Sequence, residues 1–128
     1  MAIVFIDTNI VIEYIKKRDN EKIIEIIEFV DSFDRVYIND VVIMELYQGA
    51  RDKRELNYIK KKIMKFEVLK MNQEIISLAR EILDRYTLSH NTKIMDALIA
   101  STVIMYNIDL YTFNKKDFRY LEQVNLIG

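Results

Sequence analysis

Met95-Asp96-Ala97-Leu98-Ile99-Ala100-Ser101-Thr102-Val103-Ile104 reads as a helix that is apolar on nearly every side. Such a helix belongs in the core of a domain. Asp96 lies near its start, between Ile94-Met95 and Ala97-Leu98. A carboxylate buried without a partner costs several kcal/mol, or neutralises itself by a pKa shift. Two roles suit Asp96: complementing the positive end of its own helix, or facing a cation. The small residues Ala97, Ala100 and Ser101 let this helix approach a sheet closely.

Working outward, the chain alternates short apolar runs with helical spacing. Ala2 to Ile6 is a continuous β-branched run, expected to be a buried parallel strand. Asp7-Thr8-Asn9 follows, with Thr8 or Asn9 as the expected helix cap. Ile10, Val11, Tyr14 and Ile15 recur at helical spacing; Asp19-Asn20 marks a break, and Ile23, Ile24, Ile27 and Val30 give a second helix. Arg35 to Ile38 reads as a strand, and Asn39-Asp40 as the cap of a helix from Val41 to Ala50 that Gly49 helps to end. Arg51 to Phe66 reads as one amphipathic helix with Leu56, Ile59, Ile63 and Phe66 inward. Glu67 to Lys70 is a third strand, and Asn72 caps a long helix. Ser89-His90-Asn91-Thr92 reads as a loop and cap before the Asp96 helix. Asp109 to Phe113 is a fourth strand, Asn114 to Phe118 begins a short last helix, and Val124 to Ile127 adds an edge strand. This alternation implies an α/β fold with a mainly parallel sheet and helices on both faces.

The 128 residues fit one domain, spanning 1–128. With 51% apolar and 30% charged residues the chain is globular rather than disordered. The absence of cysteine excludes disulfides, thiolate zinc sites and cysteine nucleophiles, and fits a reducing compartment such as the cytoplasm. The single histidine, His90, excludes sites built on several imidazoles. With no proline and only Gly49 and Gly128, neither a P-loop nor a dinucleotide fingerprint can be written. Asp7 interrupts the first apolar run, so no signal peptide is expected. No run reaches the ~20 apolar residues of a membrane span. A net charge of -1 gives no global attraction to nucleic acid.

Four acids stand out. Asp7 ends the first strand, and Asp117 follows the fourth in a first helical turn; ligands of open parallel sheets bind at that strand edge. Glu45 interrupts Val41-Val42-Ile43-Met44-Glu45-Leu46-Tyr47, and Asp96 interrupts its own apolar helix. Singly, each has an ordinary explanation as turn, cap or solvated helix residue. Together, carboxylates without imidazole or thiol suit a hard cation such as Mg²⁺ or Mn²⁺. Clustered like charges make physical sense only around such a cation.

Phe5-Ile6-Asp7-Thr8-Asn9, the Glu45 helix, Ile94-Met95-Asp96-Ala97-Leu98-Ile99-Ala100-Ser101-Thr102 and Tyr111-Thr112-Phe113-Asn114-Lys115-Lys116-Asp117-Phe118 carry a resemblance. In this order they resemble the PIN-domain ribonucleases, most closely the small VapC-type toxins of toxin–antitoxin pairs. The resemblance implies a single three-layer α/β/α domain whose acids hold one or two Mg²⁺ or Mn²⁺ ions and cut RNA. It implies Asp7, Glu45, Asp96 and Asp117 as metal-binding and catalytic acids, with Asp7 and Asp96 as direct ligands. Thr8, Asn9, Thr112 and Asn114 would support them, the last two by hydrogen bonds. It also implies a small antitoxin partner and a homodimer. Where such proteins often carry glycine and proline before the third acid, this chain has Asn91-Thr92-Lys93-Ile94-Met95.

Other residues fit less directly. His90 reads as a polar loop residue rather than a proton donor. Arg51, Lys53, Arg54, Lys60, Lys61, Lys62 and Lys65 could line an RNA path, or form a solvated helix face with Asp52 and Glu55. Tyr47, Tyr58 and Tyr106 could stack on bases, although helical spacing reads most tyrosines as core or partial core. Two further classes compete with this reading: a PIN-like interaction module without catalysis, which the intact acid set disfavours, and a phosphoacceptor receiver domain, disfavoured because Glu45 and Asp96 lie within helices.

Overall fold

Ile3–Ile6 forms strand β1, and Val4, Phe5 and Ile6 are fully buried, as expected for a central parallel strand covered on both faces. The computed structural model describes residues 1–16 and 20–128. Helices α1 (Thr8–Lys16) and α2 (Glu21–Asp31) lead to β2 (Arg35–Asn39). Helices α3 (Asp40–Gln48) and α4 (Lys53–Lys62) lead to β3 (Glu67–Leu69). Then come α5 (Gln73–His90), α6 (Ile94–Tyr106), β4 (Leu110–Tyr111) and β5 (Leu126–Ile127). The strands pair in the order β3-β2-β1-β4-β5, every pair parallel, between two layers of helices. This is the three-layer α/β/α architecture anticipated from the sequence.

The strand order places a topological switch point between β1 and β4. The chain winds outward from β1 through β2 to β3, then returns to the other side of β1 with β4 and β5. Loops leaving β1 and β4 therefore diverge and open a crevice at the carboxyl ends of these strands. Register matches Ile6 to Tyr111, so the next residues, Asp7 and Thr112, flank that crevice.

Asparagine supplies much of the punctuation in a chain so poor in glycine. Asn20, Asn39 and Asn72 are N-caps whose side chains accept from Ile23, Val42 and Ile75 N–H at 3.2, 3.1 and 3.0 Å. Asp19, the other half of the expected break, lies outside the described residues. Asn91 (φ 53°) and Asn107 (φ 55°) end α5 and α6 in the left-handed conformation usually given to glycine. Asn91 thus turns the chain between α5 and α6 without a glycine.

Several local expectations are corrected. Ser89 and His90 belong to the last turn of α5, and neither they nor Thr92 caps α6, whose N-cap Lys93 makes no side-chain cap bond. The 51–66 stretch is not one helix: Asp52 caps α4 by accepting from Glu55 N–H at 2.7 Å, and α4 ends in a 3₁₀ turn at Ile63–Lys65. Of its expected inward face, Ile59, Ile63 and Phe66 are buried and Leu56 is only half-buried. The helix after β4 is a single 3₁₀ turn, Lys115–Asp117. Most tyrosines are core or partial core as expected, with Tyr14 and Tyr111 buried and Tyr37, Tyr86 and Tyr120 half-buried; Tyr47, Tyr58 and Tyr106 are the exceptions, 37%, 42% and 40% exposed. Among the described residues, no helix is long and apolar enough to cross a membrane.

Candidate metal centre

Asp7 is the hub of the crevice. Its backbone carbonyl accepts from Ile10 and Val11 N–H at 3.0 and 3.1 Å, so Asp7 itself opens α1. Neither Thr8 nor Asn9 serves as the cap. One oxygen of the Asp7 carboxylate accepts the Thr8 N–H at 2.7 Å, and the other accepts the Thr112 hydroxyl at 2.7 Å. Thr112 is anchored in turn: its hydroxyl oxygen accepts the Asn114 N–H at 3.1 Å. Asn114 therefore enters the network through its backbone. Asn9 accepts the Phe113 N–H at 3.4 Å, a further link between the ends of β1 and β4.

Thr8, freed from capping, donates its hydroxyl to Glu45 Oε1 at 2.7 Å. The bond ties the middle of α3 to the start of α1 and fixes one oxygen of the acid. Asp96 sits half-buried in the first turn of α6, and Asp117 in the 3₁₀ turn after β4. Thr8 is expected among the supporting residues, but its bond to Glu45 is not legible in the sequence, where a threonine after a strand normally reads as a cap. Only the three-dimensional approach of α3 redirects it.

The four acids feel one another. Burial raises the Asp7 carboxyl above its usual range; the bonds from Thr112 and Thr8 pull it down, while Glu45 and Asp117 push it further up. Asp96 is raised from 3.8 to about 6, first by burial, then by the charges of Asp7, Asp117 and Glu45, with Lys93 opposing. Asp7 carries the two hydrogen bonds that favour its charged form. Burial first, and then the charges of Asp7, Asp117 and Glu45, favour the protonated form of Asp96. The crevice is thus a concentrated negative field made by residues from four separate parts of the chain.

Among the described residues, no three acidic or imidazole side chains close on one ion by themselves. The donor chemistry still fits a hard cation, because the cluster offers carboxylate oxygen alone. Mg²⁺ in particular takes one or two carboxylates and keeps several waters. Asp7 and Asp96 could hold such an ion directly, with Glu45 and Asp117 reached through water. His90 stands apart from the acids, stacked on Tyr120 with ring centroids 4.1 Å apart, and edge-on to Tyr86.

Comparison with known proteins agrees with this geometry. Residues 4–123 match the PIN domain family. The chain is 31% identical to Ribonuclease VapC2 of Methanocaldococcus jannaschii, over 97% of this chain and 92% of that protein. It shares its fold with a chain of VapBC-1 from nontypeable Haemophilus influenzae, at 24% identity and a TM-score of 0.79, covering 98% of this chain and 97% of that one. A chain of the DNA-bound VapBC of Salmonella typhimurium is 25% identical with a TM-score of 0.78, covering 99% and 98%. With the motifs, the sheet order and the acid cluster already in place, these likenesses establish that the chain belongs to the PIN-domain family and sits among its VapC-type members.

Proposed function

We propose that the protein is a Mg²⁺- or Mn²⁺-dependent endoribonuclease and the toxin of a toxin–antitoxin pair. The observation that carries this reading is the convergence of Asp7, Glu45, Asp96 and Asp117 at the switch point of the sheet, in a chain related to a protein named as a VapC ribonuclease. Bound there, the ion would supply a more acidic water and a positive charge against the phosphate.

The chain's own groups do the rest. Asp7 and Asp96 bind the ion, Asp7 oriented by Thr112 and the Thr8 N–H. Glu45, held by Thr8, and Asp117 orient water for in-line attack at phosphorus. A cation held there would favour the ionised form of Asp96, whose carboxyl is raised to about 6 by burial and by the neighbouring acids. Basic residues of the 51–65 stretch position the RNA backbone. A small antitoxin holds the protein inactive in the cytoplasm, and the working form is a homodimer. The relatives bear on the partner: similar folds occur in chains of VapBC toxin–antitoxin assemblies. A PIN-like module without catalysis is disfavoured because all four acids are intact and coupled.

The test is cleavage of single-stranded RNA by purified protein with Mg²⁺ or Mn²⁺, alongside Asp7→Asn prepared identically. Cleavage by the parent that stops in EDTA and is absent from the variant is the expected result. Equal cleavage by Asp7→Asn, or full activity in excess EDTA, would overturn the assignment.

A further inference from the structure

Asp7 and Glu45 are held by hydrogen bonds, whereas Asp96 and Asp117 are placed by other means. Thr112 and the Thr8 N–H fix the Asp7 carboxylate, and the Thr8 hydroxyl fixes Glu45. Among the described residues only burial and charge act on the Asp96 carboxyl, with Asp117 one of the charges. Asp96 stands in the first turn of α6, and Asp117 in a single 3₁₀ turn, so the backbone of those two turns decides where each side chain lies. Neither turn is fixed by a cap of its own: Lys93 and Asn114, which precede them, make no side-chain cap bond.

The two turns are joined away from the acids. Thr92 lies four residues before Asp96, and Tyr120 three residues after Asp117. The hydroxyls of Thr92 and Tyr120 are hydrogen-bonded to each other. Among the described residues this is the one side-chain hydrogen bond between segments 91–96 and 114–120. Thr92 is buried, and its hydroxyl also donates to the Tyr86 carbonyl of α5 at 3.4 Å. The Tyr120 ring is itself held, stacked on His90 with centroids 4.1 Å apart and tilted against Tyr86 at 5.0 Å.

Both arms from this bond to the acids are stiff. Phe118, fully buried, anchors the chain between Asp117 and Tyr120, and the Leu121 N–H bonds back to its carbonyl at 3.0 Å. On the other arm the Ala97 N–H bonds to the Lys93 carbonyl at 3.0 Å, so α6 begins directly after Thr92-Lys93. Aromatic contacts alone tolerate sliding between segments, because several ring arrangements are close in energy. A hydroxyl pair does not, since a buried polar group left without its partner is costly. The bond therefore gives a fixed length to a connection that the rings only bring together.

We infer that the Thr92–Tyr120 bond is a positioning element of the metal centre: it sets the separation of Asp96 and Asp117, as Thr8 and Thr112 set Glu45 and Asp7. The inference rests on the endoribonuclease reading and adds two residues that act through the acids rather than on the RNA. Partners that orient metal ligands govern affinity, and losing one costs about 10- to 100-fold in metal binding or activity.

The test uses the full chain with Mn²⁺ as the probe. Tyr120→Phe keeps the stack on His90 and removes one hydroxyl, Thr92→Val keeps the shape and removes the other, and Thr92→Ser keeps the bond. Mn²⁺ affinity is read by calorimetry without RNA, kcat and KM on one single-stranded RNA at limiting Mn²⁺, and folding by melts in chelator. Tyr120→Phe and Thr92→Val should each weaken Mn²⁺ binding by about tenfold or more and lower kcat, with KM for RNA unchanged. Thr92→Ser should stay near the parent. The double variant should be no worse than either single one, because each has lost the same bond. Should Thr92→Val fail to fold, Tyr120→Phe carries the comparison. Parental Mn²⁺ affinity in Tyr120→Phe would overturn the inference, as would losses that multiply in the double variant or that follow the melting temperature alone. Failure of the endoribonuclease reading looks different: the parent itself then shows no metal-dependent cleavage, or Asp7→Asn cleaves as the parent does.

Discussion

The Thr112 hydroxyl donates to Asp7 Oδ2 at 2.7 Å, joining two residues 105 positions apart. Both are buried, and the bond crosses from the end of β4 to the end of β1, where the sheet changes direction. It is one of the two hydrogen bonds that favour the charged form of a carboxyl otherwise pushed up by burial. Thr112→Val keeps the shape and removes the donor. The Asp7 carboxyl should rise further, because only the Thr8 N–H would remain to favour its charge. Stability near neutral pH should fall by about 1–3 kcal/mol, the cost of leaving a buried polar group short of a partner. Denaturant melts at neutral and at acidic pH measure this, and the loss should be smaller where Asp7 is protonated.

Asp96 makes the parent protein's stability depend on pH in an uncommon direction. Its carboxyl titrates at about 6 in the fold against 3.8 ordinarily. Between those values the folded state holds a proton that the unfolded state has released. Stability therefore declines as pH rises through that window, and the penalty is complete above it. With allowance for the half-exposed position, the effect is ~1–2 kcal/mol. Asp96→Asn in chelator should melt higher than the parent at neutral pH and lose the advantage in acid. A variant less stable than the parent at neutral pH would mean that the carboxylate serves the helix dipole instead.

Metal should stabilise the native state. Adding Mg²⁺ or Mn²⁺ should raise the parent's melting temperature, since a ligand that binds only the folded form shifts the equilibrium towards it. The same addition should do little for Asp96→Asn. Calorimetric scans of both proteins with and without metal separate this from a general salt effect, for which Na⁺ at matched ionic strength is the control.

Asn39 ties the Glu45 helix to the core. Its side chain is fully buried, accepts from Val42 N–H at 3.1 Å, and donates to the Thr102 hydroxyl at 3.0 Å. Asn39→Ala removes the α3 cap and the bond to α6 together. A loss of about 1–3 kcal/mol in chemical denaturation is expected, with cleavage reduced through the displaced Glu45.

As a toxin, the protein should arrest growth when expressed alone in its native host, and the neighbouring antitoxin gene should relieve the arrest. Asp7→Asn should be tolerated. Harmless expression of the intact, soluble protein would count against the toxin role while leaving nuclease activity to the RNA assay.

Periodicity and punctuation were legible in the sequence because both are local. The β-branched run before Asp7, the asparagine caps at 20, 39 and 72, and the apolar helix around Asp96 each follow from residues a few positions apart. The four acids were legible for a related reason: a charge inside an otherwise apolar segment violates the pattern around it. What sequence could not provide were partners. Thr8 reads as a cap, and donates its hydroxyl to Glu45, 37 residues away in sequence, only because α3 packs against the start of α1. Tyr58 lies off the inward face of its helix, yet its hydroxyl reaches across to the Ile15 carbonyl of α1, a contact that local spacing does not reveal. Helix boundaries near Ser89 and Lys62 also moved, since end positions depend on which carbonyls the surrounding fold leaves to be satisfied. Local chemistry determined the elements and nominated the acids; tertiary packing, which alone brings distant donors and charges within reach, decided how those acids are held and how strongly they repel.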